Sequence, residues 1–197
     1  SDMDQPLGLA IGNSLEVAEA IATLKGEGPQ DLTNLCLTLG GLMLQLAGSS
    51  ETFESGKEKV SNALTSGAGL AKFKELIEAQ GGDSGVIDNL GLLPTASEIQ
   101  VIKAPTDGWI ERIKCRDLGL AAMELGAGRN WLEDLIKPEV GLKLHAKVGD
   151  YLEKGQTLVE IHAQHKADAE KVLPKVLGCF NFSRQAVERP VLIKIII

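Results

Sequence analysis

The chain has 197 residues, of which 44% are hydrophobic and 24% are charged, and its formal net charge is -7. This length and composition are typical of a globular protein with a buried core, and they exclude a disordered chain. The chain has no long run of lysine or arginine, so it lacks the basic surface that a nucleic-acid backbone requires. We therefore expect no nucleic-acid partner.

The cysteines predict a reducing compartment. Cys36, Cys115 and Cys179 are widely spaced, and none belongs to a Cys-x-x-Cys motif. An odd number of such cysteines predicts free thiols and a cytoplasmic location. The most apolar stretch, residues 32–47, is interrupted by polar residues and is too short to cross the roughly 30 Å of hydrocarbon in a bilayer. We therefore expect no membrane span.

Residues 13–80 are predicted to be helical, because apolar residues recur every three or four positions between strong stop signals. Asn13 is a favourable N-cap, and Glu16 lies where its carboxylate can reach back to the backbone N–H of the cap. The next helix carries the longest apolar stripe. The four predicted helices are one that begins at Asn13 and three that cover residues 32–46, 51–64 and 70–80.

Beyond Pro94 the pattern changes to short, β-branched runs that predict strands. The predicted strands are residues 99–103, 108–113, 141–145, 157–162 and 191–197. Helices are predicted over residues 118–125, ending at Gly126, and over residues 167–177, where Pro174 is expected to limit the helix to its first turns. Residues 88–94 have turn residues and no sustained period, so they predict a domain boundary.

Two segments of the second half predict tight turns between short strands. Residues 104–113 contain an Asp-Gly turn, and residues 148–161 contain a Gly-Asp turn. Both resemble the hairpins of biotinyl and lipoyl carrier domains. We therefore predict a mixed α/β fold, with a helical part in residues 1–94 and a small β-rich, barrel-sandwich-like domain in residues 95–197.

The chain resembles the thymidine and pyrimidine-nucleoside phosphorylases, through short segments whose order and spacing agree over nearly the whole sequence. Those segments are Asp2-Met-Asp-Gln-Pro-Leu-Gly8, Gly12-Asn-Ser-Leu-Glu-Val17 with Glu19, Gly26-Glu-Gly-Pro29 with Asp31-Leu32, Ala104-Pro105 with Asp107-Gly108, Leu120-Ala-Ala-Met-Glu-Leu-Gly-Ala-Gly-Arg129, and Val148-Gly-Asp150 with Lys154-Gly155. Ser14 stands where the family is expected to have alanine. The chain has no initiator methionine, which is compatible with a start part-way through a longer protein, with a vector-derived start or with processing.

The resemblance implies a phosphorolysis, in which inorganic phosphate attacks the anomeric carbon of a pyrimidine nucleoside and releases the base and a pentose 1-phosphate. It implies a homodimer, and it makes residues 1–94 part of a larger α/β domain. In that family the phosphate-binding loop and the residues that hold the base lie upstream of the Asp-Gln-Pro-Leu-Gly motif. We therefore assign no catalytic residue to this chain and expect it to be inactive alone.

The resemblance also implies one site within the chain, for a monovalent cation that is usually potassium. Its ligands would be the backbone carbonyls of Leu7 and Ala10 and the carboxylate of Glu19, with the remaining ligands upstream. A hard cation prefers oxygen ligands, and an irregular loop can direct carbonyls toward one point where a helix cannot. On the sequence alone, a solvated helix residue is the simpler interpretation of Glu19.

Other interpretations stay open. A biotinyl- or lipoyl-like module needs a lysine flanked by methionine at a hairpin tip, and the sequence has no such turn. A scaffold protein would fold and bind a partner without an upstream half. His162 and His165 have a spacing that zinc ligands can have, but no cysteine or carboxylate is spaced to complete a tetrahedral site. Arg129 is compatible with a substrate anion or with a structural ion pair.

Overall fold

The computed structural model describes residues 1–129 and 131–195. These residues contain six α-helices and two antiparallel sheets, which confirms the predicted mixed α/β class. Residues 1–17 and residues 93–195 form one compact unit, which we call the mixed unit. Residues 18–92 form the other, which we call the helical unit. The predicted division into domains at residue 94 stays a prediction.

The first four helices confirm the predicted periodicity. They are α1 (Asn13–Leu24), α2 (Gln30–Leu46), α3 (Phe53–Thr65) and α4 (Ala68–Ala79), and short 3₁₀ turns follow at Ser84–Ile87 and Leu90–Leu92. Within the helical unit, α2 and α3 cross at Gly41 and Gly56. A Cβ on Gly56 would lie only 2.5 Å from the carbonyl oxygen of Gly41, so the two backbones touch where neither residue has a side chain.

Part of the predicted apolar stripe of α2 faces solvent. Leu39, Met43 and Leu46 are 50%, 69% and 87% exposed, and Cys36 is also exposed. Because these positions are three or four residues apart, they lie on one side of the helix. The buried residues of α2 are instead Thr38 and the small Gly41. An exposed apolar stripe of this kind is typical of a surface on which more protein packs.

The strands form a four-stranded sheet and a three-stranded sheet, with all neighbours antiparallel. The first sheet has the order β1-β4-β6-β2 and the second has the order β5-β3-β7. Neither sheet closes into a barrel within residues 1–129 and 131–195. The strands are β1 (Ala10–Ile11), β2 (Glu98–Lys103), β3 (Gly108–Ile113), β4 (Gly141–Leu144), β5 (Tyr151–Leu152), β6 (Thr157–Ala163) and β7 (Phe180–Ser183).

The prediction of two hairpins is wrong. The Asp107-Gly108 turn joins β2 to β3, and the Gly149-Asp150 turn lies between β4 and β5, which a further turn joins to β6. At each of these turns the chain passes from one sheet to the other. A tight turn reverses the chain without deciding which strand becomes the neighbour. The two sheets share one core, in which Ile110 of β3 and Ile161 of β6 are both buried.

The core belongs to the mixed unit and is covered by two further helices, α5 (Cys115–Leu125) and α6 (Lys166–Leu177). On α5 the buried residues are Leu118, Ala121, Ala122 and Leu125, which follow the helical period. The expectation that Pro174 limits α6 is wrong, since the helix continues to Leu177. Pro174 lies in the last turn, where it removes a single backbone hydrogen bond.

The prediction of a last strand over residues 191–197 is also wrong for the residues that the structure describes. Residues 191–195 form no strand, and Ile196 and Ile197 lie outside the described residues. The place beside β3 is taken by β7, which was not predicted. A β-branched run favours a strand only where a partner strand and a buried face exist, and Val191 and Ile195 are exposed.

No helix in the described part of the chain combines the length and the apolar character needed to span a membrane.

Candidate functional site

The first turn of α1 is fixed by two polar side chains. Glu16 Oε1 accepts a hydrogen bond of 2.9 Å from the backbone N–H of Gly12. Asn13 Nδ2 donates to the carbonyl oxygen of Ala127 at 3.0 Å. Glu16 therefore caps the helix. The prediction was that it would reach the N–H of Asn13, but the N–H that it binds belongs to Gly12. The side chain of Asn13 instead ties the helix start to the segment after α5.

Residues 5–9 precede β1 and form no regular secondary structure, and we call them the Gln-Pro loop. Gly8 has φ of 66°, a left-handed conformation that glycine adopts at little cost. Backbone groups outside helices and sheets need other partners when they are buried, and Pro6 and Gly8 are buried. The position of this loop therefore depends on tertiary hydrogen bonds.

Two of those hydrogen bonds come from the segment that runs from β4 to residue 148. The N–H of Leu144 donates to the carbonyl oxygen of Leu9 at 2.7 Å. The N–H of Val148 donates to the side-chain Oε1 of Gln5 at 3.0 Å. Gln5 and Val148 are 143 residues apart along the chain, so the fold joins two of the short motifs noted in the sequence.

The ammonium group of Lys147 provides two more hydrogen bonds to the same loop. Its Nζ donates to the carbonyl oxygen of Pro6 and, at 2.6 Å, to that of Gly8. A hydrogen bond from a charged donor is shorter and stronger than one between neutral groups. Sequence reasoning missed Lys147, because its contacts are 141 and 139 residues away along the chain and no local pattern marks them.

The strand that follows the loop directs one predicted ligand away from its sheet. β1 is an edge strand that pairs with β4, and Ala10 lies opposite Lys143. In an antiparallel pair, residues alternate between facing the neighbouring strand and facing away from it. Leu9 faces β4, because its carbonyl accepts from Leu144. The carbonyl of the next residue, Ala10, therefore points away from β4.

The three predicted cation ligands lie in different parts of the fold. Leu7 is in the Gln-Pro loop, between the two residues whose carbonyls accept from Lys147, and Ala10 is in β1. Both belong to the mixed unit. Glu19 is a partly buried residue of α1 within the helical unit. The role of all three residues as ligands stays a prediction.

Comparisons with known proteins give a consistent match. Residues 109–183 match the family described as Pyrimidine nucleoside phosphorylase C-terminal domain. The pyrimidine-nucleoside phosphorylase of Staphylococcus aureus strain MSSA476 is 45% identical over 197 residues, which are 100% of this chain and 45% of that protein. Over its whole length the chain is similar to the carboxy-terminal part of pyrimidine-nucleoside phosphorylases. The enzyme of that name from strain USA300 is also 45% identical, over 196 residues.

The chain corresponds to the carboxy-terminal part of these relatives and spans 45% of their length. The match extends over the Gln-Pro loop, α1 and both sheets, because it covers the whole chain. The loop and its hydrogen bonds therefore lie in a region that the relatives share by alignment, and not in an added segment.

All three cysteines are free, and one of them, Cys115, interacts electrostatically with Lys147. Burial raises the pKa of the Cys115 thiol, the positive charge of Lys147 opposes this, and Asp4 and Asp2 add to it. A thiol with a raised pKa stays protonated at neutral pH, so it is a poor nucleophile and a poor metal ligand.

The histidines weighed as zinc ligands have different surroundings. His165 is exposed and precedes α6, whereas His162 Nε2 lies 3.4 Å from Glu160 Oε2. The other oxygen of Glu160 lies 2.9 Å from His145 Nε2. The described residues contain no group of three or more His, Cys, Asp or Glu side chains suited to hold a metal.

We expect the cluster of His145, Glu160 and His162 to make the mixed unit less stable in acid. Burial lowers the pKa of His162, and its hydrogen bond to Glu160 only partly opposes this. Burial acts to raise the pKa of Glu160, but the charge and hydrogen bond of His145 and the hydrogen bond of His162 outweigh it and leave that pKa lowered. In both cases the unfolded chain binds protons more readily, so stability falls as the pH falls.

The contribution of His162 is complete above its ordinary pKa of 6.5 and is lost below it, and that of Glu160 is lost below 4.5. Thermal unfolding of the chain between about pH 7.5 and pH 5.5 should therefore show a falling Tm. The substitution His162→Gln should flatten this dependence, whereas His165→Gln is a control at an exposed position. An equal slope for His162→Gln and the unsubstituted chain would contradict the assignment.

Proposed function

We propose that the chain is the carboxy-terminal part of an enzyme that catalyses the phosphorolysis of pyrimidine nucleosides. The supporting observation is the 45% identity over the whole chain to pyrimidine-nucleoside phosphorylases of Staphylococcus aureus. The substrates would be a pyrimidine nucleoside, such as thymidine or uridine, and inorganic phosphate. The residues that bind phosphate and base would lie upstream of residue 1, and the chain would be inactive alone.

The exposed apolar surface supports the presence of an upstream half. One face of α2 is exposed, and Trp131, Leu132 and Leu135 are exposed as well. Monomeric soluble proteins rarely leave large apolar side chains grouped in this way without a partner surface. In the complete enzyme such residues would be covered by the upstream half or by the second subunit of a homodimer. A cytoplasmic location remains part of the same proposal.

The proposed reaction sets the tasks of the complete site. An oxygen of phosphate forms a bond to the anomeric carbon while the bond from that carbon to the ring nitrogen of the base breaks. The sugar develops oxocarbenium character, as in glycoside hydrolysis. The enzyme must therefore hold phosphate in line with the breaking bond and stabilise the negative charge on the departing base.

The contribution of this chain would be a potassium site beside the phosphate. The carbonyls of Leu7 and Ala10 and the carboxylate of Glu19 would be ligands, as the resemblance implies. The direction of the Ala10 carbonyl, away from β4, supports this, since that group is aimed outward from the sheet edge. Potassium would supply positive charge close to the phosphate anion, and oxygen ligands are those that a hard cation prefers.

A hybrid enzyme tests this function. It joins the upstream part of the Staphylococcus aureus relative to residues 1–197, in place of the segment that they match. The measurement is phosphate-dependent release of thymine from thymidine and uracil from uridine, by this chain alone, by the upstream part alone and by the hybrid.

We expect the hybrid to be active and each of its two parts to be inactive by itself. Turnover by residues 1–197 without the upstream part would contradict the placement of the catalytic groups. A folded hybrid that releases neither base, beside an active relative prepared in the same way, would contradict the proposed function.

A further inference from the structure

We infer that Lys147 is a positioning residue for the cation site, because its ammonium group holds the middle of the Gln-Pro loop through the carbonyls of Pro6 and Gly8. The inference rests on the proposed function, since it assumes that Leu7 and Ala10 are cation ligands. Lys147 would not contact the cation or the substrates. It would determine where the carbonyl of Leu7 lies.

The geometry of the loop gives the first argument. The ammonium group binds the carbonyls of Pro6 and Gly8, which are the two immediate neighbours of the Leu7 carbonyl. Holding these carbonyls fixes the planar peptides between residues 6 and 7 and between residues 8 and 9, on either side of the peptide that contains the Leu7 carbonyl. The orientation of the Leu7 carbonyl is then set by the bonds on either side of it.

The surroundings of Lys147 give the second argument. The backbone N–H of Lys147 donates to Asp150 Oδ2 at 2.9 Å, and Arg189 donates to the other oxygen of the same carboxylate at 2.7 Å. The start of the lysine side chain is therefore anchored as well as its end. A lysine held at both ends can transmit the position of residues 147–150 to the loop, which a freely moving surface lysine cannot.

The hydrogen bonds that hold the loop differ in their donors and in their positions along it. Leu144 and Val148 contribute one neutral hydrogen bond each, to Leu9 and Gln5. Those bonds lie at the two ends of the loop. Both hydrogen bonds from Lys147 reach its middle, and both have a charged donor. Loss of Lys147 would therefore remove two charged hydrogen bonds from the middle of the loop.

The ammonium charge also has an opposite possible effect, because two cations repel each other. If repulsion dominated, removal of Lys147 would strengthen potassium binding. If positioning dominates, as we infer, removal weakens it. The sign of the change in potassium affinity therefore distinguishes the two effects.

The test uses the hybrid enzyme with Lys147→Met, which keeps the length of the side chain and removes its charge and donors. Lys147→Arg restores a charged donor, and Lys154→Met is a control at an exposed lysine of the same unit. The first readout is the potassium concentration for half-maximal activation. Loss of an outer partner of a metal ligand typically costs 10- to 100-fold in affinity, so we expect a rise of about 10-fold or more for Lys147→Met.

A merely structural role would lower kcat at every potassium concentration. Positioning of the cation predicts instead that kcat at saturating potassium stays within about 2-fold of the unsubstituted hybrid. Lys147→Arg should recover most of the potassium affinity, and Lys154→Met should not change it.

The second readout is amide hydrogen exchange of residues 5–12, which requires no activity. We expect exchange in this segment to become about 10-fold faster in Lys147→Met and to stay unchanged in Lys154→Met. Unchanged exchange, or an unchanged or lower half-maximal potassium concentration, would overturn the inference. If the unsubstituted hybrid is active without any response to potassium, the cation site and the role of Lys147 both fail, while the phosphorolysis itself stands.

Discussion

Replacement of Gly12 by alanine is expected to destabilise the mixed unit by about 2–4 kcal/mol, through backbone strain and overpacking together. Gly12 has φ of 136°, a conformation that residues with a Cβ rarely adopt. The new Cβ would lie 2.4 Å from the carbonyl oxygen of Val140 and 3.0 Å from the Cα of Gly141. Both obstacles are backbone atoms of the neighbouring segment, so no side-chain rotation relieves the contact.

The matched control is Gly119→Ala, in the same unit. Gly119 lies inside α5, and a Cβ there would meet no atom within 4 Å. Alanine favours a helix interior over glycine by about 0.5–1 kcal/mol, so this variant should be slightly more stable. Urea unfolding of the 197-residue chain measures both free energies. Equal stability of Gly12→Ala and Gly119→Ala would show that the close approach of β1 to β4 is not required.

The Gly12 prediction also concerns the site, because Gly12 connects β1 to α1. The residue follows directly after Ala10 and Ile11, and its N–H is bound by the cap Glu16. A change that forces Gly12 away from Val140 would therefore move the start of α1 and the end of β1 together.

The helices could be predicted from the sequence because their signals are local. Apolar residues every three or four positions, with glycine-containing stops such as residues 26–29, identify α1 to α4 within a few residues of their ends. The same argument located α5 and the start of α6. Only the continuation of α6 through Pro174 was missed, since burial of Val172 and Val176 outweighs the single lost hydrogen bond.

The pairing of strands could not be predicted in this way. The short strand β1 has two residues, and it exists because Leu9, Ala10 and Ile11 meet β4 more than 130 residues later. The run at residues 191–195 has stronger strand propensity but forms no strand. Propensity describes a residue's fit to a pleated surface, and the partner strand comes from the rest of the fold.

Part of the candidate site could be predicted from the sequence, and part of it follows only from the tertiary structure. Resemblance supplied the proposed ligands Leu7, Ala10 and Glu19, and the strand geometry gave the direction of the Ala10 carbonyl. The residues that hold the loop, Lys147 and Val148, follow from the fold alone. A lysine before a Gly-Asp turn is unremarkable in the sequence, and only the tertiary structure brings it to the carbonyls of the Gln-Pro loop.

The substitution Glu19→Gln is expected to abolish most of the potassium activation of the hybrid enzyme. Glutamine keeps the size of the side chain and one ligand oxygen but removes the negative charge. A single charge close to a cation contributes several kcal/mol at the dielectric typical of a protein surface, so the half-maximal potassium concentration should rise roughly 100-fold or more. The measurement is the rate of thymine release against potassium concentration, with the other ions held at constant ionic strength.

Glu16→Gln is the matched control, because Glu16 lies on the same helix and has a structural task. Its carboxylate caps the N–H of Gly12, so the variant should lose about 0.5–2 kcal/mol of stability while its response to potassium stays unchanged. If both variants lost potassium activation equally, the effect would come from the position of α1 and not from a ligand. Normal activation of Glu19→Gln would remove Glu19 from the site and leave the carbonyls of Leu7 and Ala10 as the contribution of this chain.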